Sequence, residues 1–265
     1  MASDDGVHPE LSPQGLTRRV YGTELLLVLA LSLGASAVSA LISFVGALTE
    51  PGGLAEQSAQ LNSSRAPGRA WLDLAWQLFS IGTALVPVGL VAHLLRREGA
   101  GGVRALGLDR HRPGGDLGRG ALLAAVIGGC GLLLYLGARA AGFNLTVVPE
   151  GLPGVWWKYP VLVASAVQNA VVEEVIVVGY LLRRVGQLGW SPWGGLAASA
   201  LLRGSYHLYQ GIGGFLGNVA MGVVFVLVYR RWHGRVGPLV AAHSLIDIVA
   251  FVGYGLLASR VSWLP

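Results

Sequence analysis

Apolar runs of about twenty residues recur along this chain, separated by short polar stretches rich in arginine, glycine and proline. A helix rises about 1.5 Å per residue, so each run is long enough to cross roughly 30 Å of hydrocarbon. The pattern predicts seven spans, at about 24–48, 71–95, 120–141, 159–182, 193–208, 215–231 and 236–257. Pro87 predicts a kink in the second. The fifth is the shortest and is interrupted by Arg203 and His207. The stretches 49–69 and 142–157 read as loops, the latter with an interfacial Trp156–Trp157 pair. The expected fold class is all-α, a polytopic helical membrane protein of about seven transmembrane helices.

Composition agrees. Hydrophobic residues make up 53% of the 265 and charged residues 12%, about half the share of a soluble domain. Forty glycines fit close helix packing in lipid better than disorder. The net charge of +5 comes from nineteen basic residues, of which only Lys158 is a lysine. They flank the apolar runs, which fits topology control and argues against a nucleic-acid partner. The clusters at 18–19, 96–119, 183–184 and 230–235 fall on one side if seven spans alternate. The N-terminus is then expected in the cytoplasm and the C-terminus outside. Residues 1–20 read as a disordered cytoplasmic tail, 21–116 as two spans with a basic loop, and 259–265 as a C-terminal tail. The single cysteine, Cys130, excludes an intramolecular disulfide and is expected to be a buried packing residue.

The chemistry sits in ionisable groups at bilayer depth. An acidic or basic side chain there costs at least ~2.5–3.5 kcal/mol, so it marks a functional site by default. Glu173 and Glu174 lie inside the fourth run, Arg203 and His207 in the fifth, and His243 and Asp247 in the seventh. Arg203 and His207 are four residues apart, as are His243 and Asp247, and Asn169 lies four before Glu173. Each such pair shares a helix face, and in lipid the polar stripes must turn toward one another. The predicted result is one polar cavity opening toward the cytoplasm. A purely structural ion-pair cluster is the plain alternative.

At these residues the chain resembles the CPBP family of intramembrane proteases, the group of type 2 CAAX prenyl proteases and bacteriocin-processing proteins. The family carries Glu-Glu-x-x-x-Arg, Phe-x-x-x-His and His-x-x-x-Asn/Asp on successive helices. Here these read Glu173-Glu174-Val-Ile-Val-Val178, Arg203-Gly-Ser-Tyr-His207 and His243-Ser-Leu-Ile-Asp247. The resemblance extends over about 117–258, the expected protease core. Two positions depart from it: valine stands at the arginine position, 178, and arginine at the phenylalanine position, 203. The two read as one change, the positive charge having moved to the next helix while still facing the acids.

The resemblance implies an intramembrane endopeptidase that hydrolyses a peptide bond with water. Glu173 is the expected general base and His207 its helper in orienting that water. His243 and Asp247 match the pair that stabilises the oxyanion. An ionised Asp has no donor to offer, so Asp247 is expected to orient His243. Glu174 is secondary, because adjacent helical residues point about 100° apart, and Arg203 supplies supporting charge. No cofactor is firmly implied. Histidines and carboxylates offer a zinc-type donor set, but no His-Glu-x-x-His motif is present, and water activated by glutamate without metal is the preferred reading. The expected partners are a peptide or protein substrate, lipidated or membrane-bound, and membrane lipid. The alternative function is a non-proteolytic member of the same fold, acting in partner binding or peptide self-immunity.

Overall fold

The computed structural model describes residues 18–257. Residues 1–17 of the tail expected at 1–20, and the tail expected at 259–265, fall outside these residues, and Arg18, placed in the tail by the sequence pattern, already opens the first helix. Ten α-helices follow in order: α1 (Arg18–Ala30), α2 (Leu33–Thr49), α3 (Ala70–Ala84), α4 (Val86–Arg97), α5 (Pro113–Ala140), α6 (Lys158–Glu173), α7 (Leu181–Gln187), α8 (Pro192–Tyr206), α9 (Ile212–Arg231) and α10 (Gly237–Leu257). A π-helical stretch, Glu174–Tyr180, joins α6 to α7 without a break.

Among the described residues, five helical stretches are each long and apolar enough to cross a membrane: 70–97, α5, 158–187, α9 and α10. The chain is an integral, multi-pass membrane protein. The first expected span is not straight. α1 and α2 form one span only if joined across a 50° bend. The bend falls where Ser32 Oγ takes the Val28 carbonyl at 2.6 Å, and where a side chain on Gly34 would meet the Leu29 carbonyl oxygen at 2.7 Å. Serine and glycine together are a recognised cause of such breaks. The second span is interrupted at Leu85, with Pro87 in the first turn of α4, where a missing N–H costs nothing. The expected fifth span, α8, has only 15 residues, short of a full crossing, so the count of seven is not met by helix length. Ser191 caps it by accepting from the Gly194 N–H at 3.1 Å.

The two expected loops are not irregular throughout. β1 (Ser58–Ser63) and β2 (Thr146–Gly151) pair in parallel, from Ser58 opposite Thr146 to Ser63 opposite Gly151. This clasp ties the N-terminal helices to the rest of the chain.

The arginine-rich helix ends collect at the opposite end of the bundle. Arg184 bonds Glu24 at 2.6 Å and also meets Glu98, while Arg183 reaches Glu98 at 3.4 Å. Arg235 bonds both Asp109, at 2.9 Å, and Asp116, at 2.7 Å. Gly107 makes this approach feasible, since a side chain there would lie 2.5 Å from the Arg235 Cα. Outward faces carry Leu26, Ile42, Leu122, Leu133 and Val249, all exposed as a lipid-facing surface requires. Cys130 is exposed on that surface and not buried as expected, because α5 turns its apolar stretch outward. The 158–187 stretch is the most enclosed; α10 runs along α5 and α6, and α8 along α9.

Candidate active site

The acid pair sits where α6 passes into the π-helical stretch. Val175, Ile176, Val177 and Val178 are fully buried there, and Ser199 of α8 donates to the Val177 carbonyl at 2.8 Å. The side-chain bond occupies a carbonyl within the widened turns. Gly179 lets the chain pass close to Leu106, which a side chain would meet at 2.9 Å.

Arg203 joins the two acids. It has no exposed surface, and it donates through Nη1 to Glu173 Oε2 at 3.2 Å and through Nη2 to Glu174 Oε1 at 2.7 Å. Its guanidinium lies 5.1 Å from the centre of the Phe225 ring, a cation–π contact in a dry setting. The Tyr206 phenol donates to Glu173 Oε2 at 2.7 Å. His243 Nδ1 lies 2.7 Å from Glu174 Oε1 and acts as donor there, since a carboxylate only accepts.

The structure places the remaining expected residues as follows. His207 follows the last turn of α8 with Nδ1 3.0 Å from the Arg203 carbonyl. That carbonyl fixes the proton on Nδ1 and leaves Nε2 as an acceptor. Asp247 Oδ2 stands 3.7 Å from His243 Nε2, beyond hydrogen-bond length. The orienting bond expected from Asp247 is therefore made by Glu174. Asn169 interacts with the Asp247 carboxyl.

Two cavities reach this cluster. One of about 440 Å³ is lined by Glu173, Asn169, Ser32, Thr83 and Pro87, so the breaks in the first two spans both face the acid. Another of about 700 Å³ runs beside α2, past Ser39, Ser43 and Gln57, to Tyr206 and Tyr209. It extends toward the strand-bearing end, not toward the arginine-rich end as expected. Residues Tyr206 and Phe225 escaped the sequence reading, because an aromatic in an apolar run carries no signal that separates a site residue from core.

Residues 155–249 match the family described as Type II CAAX prenyl endopeptidase Rce1-like. That stretch is CAAX-protease-like. It runs from just before α6 into α10 and holds every residue of the cluster. The matched family is a protease family, and the match bears out the resemblance read from the three motifs. No curated protein and no solved structure matches the chain. Against the family pattern, Val178 packs on Phe225, Leu239 and Ala242. Phe225 thus shares a core cluster with the residue at the family's arginine position and lies against the guanidinium that reaches the acids.

Proposed function

We propose that this protein is an intramembrane endopeptidase in which Glu173 activates a water held beside the acid pair. The observation that carries the reading is the arginine bridge: two buried carboxylates on one guanidinium, with a histidine 2.7 Å away and a cavity at Glu173. In this scheme Glu173 takes a proton from water as the hydroxide attacks the scissile carbonyl, then returns it to the departing amine. His207 Nε2 orients the water. His243, held by Glu174 and in its protonated form, presents Nε2–H to the developing oxyanion. Asp247 Oδ2 stands 3.7 Å from that same Nε2, with Asn169 beside its carboxyl.

A metal reading draws on Glu173, Glu174 and His243, whose ligand atoms lie within 4.8 Å of one another. Those atoms do not fit a cation well. Arg203 already bonds both carboxylates, and His243 Nδ1 is spent on Glu174. A divalent ion would have to displace a buried guanidinium. Glutamate chemistry without metal is the better account.

We place the protease core at 117–258 and the arginine-rich end in the cytoplasm, the latter because four basic clusters gather there. The substrate is a peptide or protein within reach of the membrane, lipidated or not. Valine at 178 favours a second reading, a non-proteolytic binder, although Arg203 supplies the charge that valine lacks.

The test is Glu173→Gln in the full chain, reconstituted in lipid nanodiscs with internally quenched CAAX peptides, farnesylated and unmodified. Turnover is expected to fall about 10²–10⁴-fold, the range for losing a general base, in protein that still folds. Cleavage by the variant at the wild-type rate would refute the assignment.

A further inference from the structure

Tyr206 belongs to both the acid pair and the larger cavity. It lines the space of about 700 Å³ beside α2 while its hydroxyl donates to Glu173 Oε2 at 2.7 Å. It is 5% exposed, so the phenol has little solvent to turn to. Its backbone is held firmly. A side chain at Gly204 would meet Val219 at 2.5 Å and the Phe215 carbonyl at 2.9 Å, so the end of α8 is pressed against α9.

The bond lengths divide the labour. Arg203 makes its shorter bond, 2.7 Å, to Glu174, and only a 3.2 Å bond to Glu173. The tighter hold on Glu173 is therefore the phenol. With two donors on Oε2, the other carboxylate oxygen is the one left to accept a proton from water.

We propose that Tyr206 is a positioning residue for the hydrolysis, holding one oxygen of Glu173 so that the other meets the attacking water. This rests on the proteolytic reading above. A base kept in one rotamer needs no reorganisation at the moment of proton transfer, and misplacement by a fraction of an ångström is costly in rate. Tyrosine suits the place because its rigid ring carries a donor to a fixed depth with few rotatable bonds. Phenylalanine preserves the ring and its packing while removing only the donor.

Tyr206→Phe and Glu173→Gln are measured side by side in nanodiscs with the farnesylated and unmodified CAAX peptides. Tyr229→Phe, which removes a phenol near the arginine-rich end of α9, is the control. Tyr206→Phe is expected to lower kcat about 10- to 100-fold with KM unchanged and the protein still folded at the assay temperature, the size of one lost bond to a charged group. In infrared spectra of protein labelled with ¹³C-glutamate, the carboxylate band that Glu173→Gln removes is expected to move in Tyr206→Phe. A wild-type kcat in Tyr206→Phe, an unmoved band, or a loss matched by falls in Tm and substrate affinity would overturn the proposal. If wild type and Glu173→Gln behave alike, the proteolytic reading itself has failed, and the positioning role falls with it.

Discussion

Replacing Arg203 with methionine tests the arrangement most directly. The side chain has no exposed surface and bonds two carboxylates that are themselves 8% exposed and fully buried. Methionine fills similar volume, so the perturbation is electrostatic and leaves two acids facing each other with only His243 and Tyr206 as donors. Breaking a buried ion pair by removing one partner costs about 3–5 kcal/mol. At roughly 2–4 °C per kcal/mol for a chain of this size, Tm should fall by about 10 °C. The companion variant Glu174→Gln removes one of the acids. If Arg203 exists to offset them, Arg203→Met with Glu174→Gln costs less than the sum of the singles by about 0.5–3 kcal/mol. Adding Val178→Arg to Arg203→Phe restores the family pattern around Phe225 and is expected to recover part of the loss. Melting is followed in one fixed lipid composition. A methionine variant that melts with the wild type, or strictly additive singles, would refute the bridge as a stabilising element.

Two further outcomes follow from the arginine-rich end. The Arg235 guanidinium bonds both Asp109 oxygens, at 2.9 and 3.1 Å, and holds that carboxyl down from 3.8 to about 2. A lowered folded-state value contributes stability that is full above about pH 4 and lost as pH falls through about 2. Asp109→Asn should therefore melt below wild type near neutral pH, with the gap closing across that window; a gap constant with pH contradicts the latch. Arg184 is fully buried and bonds Glu24 at 2.6 Å and the Tyr180 hydroxyl at 3.0 Å. Arg184→Met should cost about 3–5 kcal/mol and speed hydrogen exchange across Arg18–Ala30. Unchanged exchange there means that Arg184 does not hold α1.

The helices and the polar cluster were legible in the chain for separate reasons. Long apolar runs report lipid directly, and Glu173, Glu174, Arg203, His207, His243 and Asp247 stand out because charge is costly there. What stayed hidden depends on tertiary contact. The parallel pairing of β1 and β2 joins stretches more than eighty residues apart, and nothing in Ser58–Ser63 alone announces a strand. Spacing sets Arg203 opposite the acids, but that one forked guanidinium bonds both is visible only in the tertiary contact. The partner of His243 was missed for a similar reason. Spacing favours Asp247 on the same helix, whereas Glu174 reaches the ring from another. Tyr206 looked like any aromatic in a greasy segment until its hydroxyl was seen on the acid.

The widened turns at Glu174–Tyr180 have one more consequence. They stand between the acid pair and Arg184, the buried anchor at the arginine-rich end. Rotational phase between these two points is therefore set by the count of residues in the wide segment as well as by their identity. Dropping a single valine there would turn the acids by roughly 80–100° against the anchor, carrying Glu173 away from Tyr206 with every residue of the cluster still present.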